Sequence, residues 1–136
     1  MGICLRQVFV AVWTVLALAF PVGAQQSLSI ADTDTQGLSS FTTTVSLDSD
    51  DSTQGYVLAI AVDDTLLGVT DITIEGTDVD SVGAELAVGE ILPGGLTLGV
   101  ILDALSPFEG QVIPAGSGTS LAFLSLTPIT LNPDPY

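Results

Sequence analysis

From Gln25 onward the chain alternates apolar and polar residues in short runs broken by Gly, Asp, Ser and Pro clusters, with no sustained 3.6-residue period. That pattern predicts an all-β chain. Strands are expected over residues 27–30 and 41–47, with Phe41, Thr43, Val45 and Leu47 on one face of the second and Thr42, Thr44 and Ser46 on the other. In residues 54–63, Tyr56, Leu58, Ile60 and Val62 oppose Val57, Ala59 and Ala61, and apolar residues on both faces predict a central strand. A strand over 69–76 is followed by an acidic, Gly-bearing connection over 77–83 and a further strand over 84–92. Pro93-Gly94-Gly95 signals a turn into the clearest strand, 96–102, where Leu96, Leu98, Val100 and Leu102 share a face. Residues 106–119 read as a long Gly- and Pro-bearing connection, and 120–126 as the last strand, with Leu121 and Phe123 on one face. About seven strands spaced near ten residues apart predict a two-sheet antiparallel β-sandwich.

Residues 1–24 have a different character. A short start carrying Arg6 leads into an apolar run over 8–20, then Pro21 and a small-residue site with Val22 and Ala24. This is the signal-peptide pattern, and the run is shorter than the roughly 20 residues a membrane-spanning helix needs. The expected organisation is a signal peptide over 1–24 and one β-sandwich domain over 25–136, secreted to the extracellular space or the cell surface. No membrane association is expected after cleavage.

Composition sharpens the picture because the only Lys or Arg, Cys, Trp and Met (Arg6, Cys4, Trp13, Met1) all lie in that first segment, and the chain has no His. All 16 acidic residues lie beyond it, so loss of Arg6 takes the formal charge from −15 to −16. Triads, zinc sites and Schiff bases built on His, Cys or Lys are excluded, and no disulfide can form. A chain of this charge is repelled by nucleic acid and by anionic lipid, so no nucleic-acid partner is expected. Two carboxylates about 5–9 Å apart can hydrolyse a glycoside, yet no pair among these stands out, and no catalytic residue is assigned. The expected protein is not an enzyme.

Three segments carry a family resemblance: Gln54-Gly55-Tyr56-Val57-Leu58-Ala59-Ile60-Ala61-Val62-Asp63-Asp64-Thr65-Leu66-Leu67; Gly94-Gly95-Leu96-Thr97-Leu98-Gly99-Val100; and Ile113-Pro114-Ala115-Gly116 with Leu121-Ala122-Phe123-Leu124-Ser125-Leu126. In order, they resemble a bacterial cohesin or cohesin-like domain over about residues 27–127, with Asp64 where that family usually has Pro. The resemblance implies a nine-stranded jelly-roll sandwich, related to carbohydrate-binding modules, that acts as a non-catalytic receptor for a dockerin-like protein in extracellular polysaccharide-degrading assemblies. It implies binding through a sheet face. The matching residues are strand and bend positions, so no partner-contacting residue carries over. The chain departs from the family in stopping at residues 127–136, where the family continues through further strands, so closing C-terminal strands are expected to be missing. Two other readings stand beside this one: a carbohydrate-binding module that takes polysaccharide directly, and a structural envelope or matrix subunit.

For ligand sites, Asp48-Ser49-Asp50-Asp51-Ser52 offers oxygen ligands on a flexible turn, which suits calcium, although the spacing lacks the Gly and closing Glu of an EF-hand. Asp48, Asp50 and Asp51 are therefore the candidate metal ligands for a weak Ca²⁺ site, and a solvated hairpin tip is the competing reading. No other cofactor is expected. Asp32 with Asp34, and Asp78 with Asp80, are lesser candidates of the same kind. Tyr56, on the face shared with Leu58 and Ile60, is expected in the core rather than as a sugar platform.

Overall fold

Alternating patterning becomes two packed antiparallel sheets in the computed structural model, which describes residues 25–33 and 39–129. The expected signal segment, Asp34 and residues 130–136 lie outside the described residues. The elements are β1 (Gln26–Ile30), β2 (Phe41–Ser49), β3 (Gly55–Ala61), β4 (Leu67–Thr73), α1 (Asp78–Val82), β5 (Leu86–Leu92), β6 (Gly95–Ile101) and β7 (Gly116–Pro128). One sheet has the order β1-β2-β7-β4 and the other β3-β6-β5, with every pairing antiparallel. The chain is an all-β sandwich.

Faces follow the period-2 pattern. Thr43, Val45, Leu47 and Ser49 of β2 are buried, and the two polar members satisfy their hydroxyls by donating to backbone carbonyls, Thr43 to Ala31 at 2.7 Å and Ser49 to Asp51 at 2.8 Å. In the opposite layer Leu96, Leu98, Val100 and Leu102 are all buried and meet Leu121, Leu124 and Leu126 in one core. Pro93 and Gly94 form the two-residue turn of the β5–β6 hairpin, with Leu92 paired to Gly95 across it. Gly94 takes φ +75°, a conformation that residues with a Cβ rarely adopt.

Three expectations are corrected. Residues 54–63 were expected to form a central strand, but β3 is an edge: Leu58 and Ile60 are buried while Val57, Ala59 and Ala61 face solvent. Its second apolar face is an exposed surface rather than a second buried one. The connection over 77–83 contains α1, whose start is capped by Thr77 Oγ1 accepting from Asp80 N and whose end is closed by Gly83 at φ 90°. Five residues with buried Val79 are too few to show a helical period. Finally, β7 begins at Gly116, within the stretch read as a connection, because its first residues pair with Leu47 and Ser49 at the end of β2.

The register also explains how the layers are tied. Between Val45 and Ser46 of β2 the partner on β7 jumps from Ala122 to Ser120, so Leu121 is an extra residue without a β2 partner. Its carbonyl accepts the hydroxyl of Tyr56 on β3 at 2.7 Å. A bulge in one sheet is thereby fastened to the edge strand of the other.

Candidate functional site

Of the candidate metal ligands, Asp48 and Asp50 line one shallow cleft of about 620 Å³ between the ends of β1, β2 and β7, while Asp51 is not among its lining residues. The turn is not a hairpin tip, because β2 and β3 belong to different sheets. Asp48 accepts from Ser117 Oγ at 2.9 Å and Gly118 N at 2.6 Å, which clasps β2 to the start of β7. Those bonds, the Gly118 amide first, hold its carboxyl below the ordinary carboxylate value against a small opposing desolvation. Asp50 accepts the backbone amide of Gln25 at 3.3 Å. Asp51 engages Ser49 through its backbone, taking the Ser49 hydroxyl on its carbonyl at 2.8 Å. No group of three or more potential metal-ligating side chains converges among the described residues.

The other carboxylates do similar local work. Asp78 accepts both the amide and the hydroxyl of Ser120 at 2.8 Å, docking α1 onto β7, and the Ser120 amide leads in lowering its pKa. Asp80 accepts the Gly76 amide at 2.9 Å, so the Asp78 and Asp80 carboxylates serve different partners. Asp63 accepts the Thr65 hydroxyl at 2.6 Å and the Thr65 amide at 3.0 Å, which fixes the Asp63-Asp64-Thr65-Leu66-Leu67 bend and lowers its pKa. Asp32 is exposed. Tyr56 lies with the core, partly buried, and desolvation pushes its hydroxyl pKa well above 10.

The surface that sequence reasoning missed is the outer face of the three-stranded sheet. The registers set Val57, Gly99 and Val88 in one row across β3, β6 and β5, with Gly55, Ile101 and Leu86 in a neighbouring row. Val57 is 62% and Val88 61% exposed, and Leu86, Leu92 and Ile101 are exposed to a lesser degree. A Cβ on Gly99 would meet nothing within 4 Å, so the middle of the face is a trough. Those two rows carry no charge, and Glu90 stands in the next one, beside Thr97 and Ala59. Contiguous apolar surface rimmed by polar residues marks a contact site in soluble proteins. The signal in the sequence was the double-sided apolar pattern of residues 54–63.

At the end of β6 the chain turns through residues 103–110, a loop braced from both sides. Glu85 Oε2 accepts the amides of Ala104 and Leu105, and the Asp103 carboxylate accepts those of Glu109 and Gly110. The brace leaves Leu105 62% and Phe108 72% exposed. Among the described residues no helix is long and apolar enough to cross a membrane.

Fold and surface together define an all-β, two-sheet sandwich with an open apolar sheet face. No known family matches the chain, and no curated protein or solved structure matches it.

Proposed function

We propose that this chain is a secreted, non-catalytic attachment domain that docks a protein partner on the outer face of the β3-β6-β5 sheet. The observation that carries the reading is the apolar trough between Val57 and Val88 on an otherwise strongly acidic chain. Such a face loses solubility unless something covers it, and flat apolar faces with a charged surround are what protein partners bury. The resemblance to cohesins supplies the partner class, a dockerin-like module in extracellular polysaccharide-degrading assemblies. A non-catalytic role is supported by the residue types beyond residue 24 and by the carboxylates with resolved pKa shifts. Asp48, Asp63 and Asp78 all move down, whereas a general acid working near neutral pH needs its pKa raised.

The test is a pull-down of the purified chain against secreted proteins of its source, with and without calcium, alongside insoluble polysaccharide. Capture of a dockerin-bearing protein, abolished by Val57→Asp or Val88→Asp with the fold intact, supports the reading. Retention on polysaccharide alone, with Phe108 as the aromatic platform, replaces it with a carbohydrate-binding module. Capture that survives both substitutions overturns the assignment to this face.

A further inference from the structure

The edge of β5 carries a second surface, distinct from the sheet face and independent of the docking role proposed above. All seven residues of β5 are exposed, including Ala87, Gly89 and Ile91, which lie on the side turned toward the other sheet. Ile91 is 45% exposed there, whereas the inward residues of the other edge strand, Leu58 and Ile60, are buried. The core is thus sealed at β3, whereas along β5 only Gly89 is backed closely, by Ile72 of β4, and the inner edge is open at Ile91.

The backbone pattern shows what this edge can accept. Leu102 N donates to Gln54 O and Val62 N to Gly94 O, both at 2.9 Å, so the even-numbered residues of β6 bond toward β3. Hydrogen-bonding direction alternates along a strand, and the β5–β6 register is unbroken. The odd-numbered residues of β6 therefore bond to Leu86, Val88, Glu90 and Leu92, leaving the amides and carbonyls of Ala87, Gly89 and Ile91 aimed outward. Evenly spaced outward donors and acceptors fit an extended strand.

We propose that β5 pairs with β5 of a second copy of this chain, antiparallel about a two-fold axis at Gly89, joining two three-stranded sheets into one of six strands. The strand is self-complementary in that register. Gly89 meets Gly89, and Ala87 meets Ile91 of the second copy, so each Ile91 covers the other's open inner edge. On the outer face Leu86 falls opposite Leu92, and Glu90 opposite Val88, so the two carboxylates are not directly opposed. The edges of the four-stranded sheet suit a partner strand less, and at β3 the inner residues Leu58 and Ile60 are already buried. β1 is short and carries Ser27 and Ser29, while β4 is broken by a register shift between Val69 and Asp71 and carries the Asp71 charge. Pairing β5 with β3 of another copy is head-to-tail and propagates, whereas the two-fold contact closes.

The full chain is expressed with its own N-terminal segment, its purified N-terminus is read by mass spectrometry, and its mass is followed by analytical ultracentrifugation across concentration and salt. A reversible monomer–dimer equilibrium that tightens with salt is expected, because two acidic chains come together. Ala87→Pro removes an outward amide that the β6 ladder does not use, a position where an edge strand tolerates proline. The two-fold axis doubles the loss, so dimerisation weakens roughly tenfold or more. Ile91→Lys, which places a charge at the open inner edge, has the same effect, while Val57→Asp on the far strand leaves the dimer intact. Circular dichroism checks that each variant folds. In the wild type, hydrogen exchange at Ala87, Gly89 and Ile91 slows as concentration rises. The proposal is overturned by a monomer at every concentration, by assemblies larger than a dimer, by exchange at those amides that ignores concentration, or by a dimer that survives Ala87→Pro and is lost in Val57→Asp.

Discussion

Replacing Tyr56 by Phe removes one oxygen atom and leaves the ring, so its effect isolates the bond between the two layers. Leu121, whose carbonyl receives that hydroxyl at 2.7 Å, is itself fully buried. The carbonyl has no replacement donor in the sheet: Leu121 is skipped in the β2 register, and pairing with β4 ends at Thr73 and Phe123. The substitution therefore strands an acceptor in the interior, which costs about 1–3 kcal/mol where an exposed tyrosine would cost nothing. For a domain of about 100 residues each kcal/mol moves the melting temperature by about 4–8 °C, so a fall of roughly 10 °C is expected. Far-UV circular dichroism during heating and in urea is the suitable assay, since the only Trp lies at residue 13. A drop smaller than about 3 °C would refute the assignment, because it would mean that the bulge carbonyl finds another partner at no cost. Alkaline titration provides an independent check. Burial raises the Tyr56 pKa above its ordinary value of 10.0, so the unfolded chain ionises first. The associated stability is present below pH 10 and is lost as pH rises through the folded value; in Tyr56→Phe that part of the alkaline fall disappears.

Other expectations can be checked with the same material. Carboxylates without basic partners repel one another, so the melting temperature should climb from low to high ionic strength, and a flat profile would contradict the self-repulsion argument. Asp48, Asp63 and Asp78 ionise more readily in the folded chain than their ordinary value of 3.8, so the stability they add is present above that pH and is lost as pH falls through their lower folded values. In high salt, where repulsion is screened, the melting temperature should fall below pH 4 and fall less steeply in Asp78→Asn; constancy from pH 5 to pH 3 would count against the carboxylate–amide clasps. Thr53 Oγ1 is buried without a hydrogen-bond partner, so Thr53→Val should stabilise by about 1 kcal/mol in urea titration, and a loss of stability would reveal a partner for the hydroxyl.

Strand positions were legible because one-sided burial writes a period of two into the sequence. Leu96, Leu98, Val100 and Leu102 show it most clearly, and all four are buried. Layer order was not legible. Residues 54–63 carry Val57, Ala59 and Ala61 opposite a buried row, and the same letters describe a strand covered on both sides or one whose second face is left open. Separating those cases requires knowing that β6, forty residues later, takes the middle of the sheet. The candidate ligands Asp48, Asp50 and Asp51 were visible as a run of acids, but β2 ends at Ser49 and the chain turns there, so Asp48 and Asp50 reach one cleft and Asp51 does not. Asp48 turns to Ser117 and Gly118 while Asp51 works through its backbone. The start of β7 was hidden by Gly116 and Gly118, residues that usually punctuate strands and here lie at the end of the β2 ladder.

The position of β7 in the chain has a kinetic consequence. It is the last described strand, yet it lies between β2 and β4, receives the Tyr56 hydroxyl, and supplies the partners of Asp48 and Asp78. Until residues 116–128 have been synthesised the four-stranded layer is therefore a β1–β2 pair and a separate, unpaired β4, and β2 gains its second neighbour only some seventy positions downstream. Loops of that span close slowly, which places this chain among the late, all-at-once folders rather than those that condense from the N-terminus as they emerge. A nascent chain halted before Gly116 can form the β3-β6-β5 sheet but has only the β1–β2 pair to lay it on, so the sandwich stays incomplete until β7 arrives.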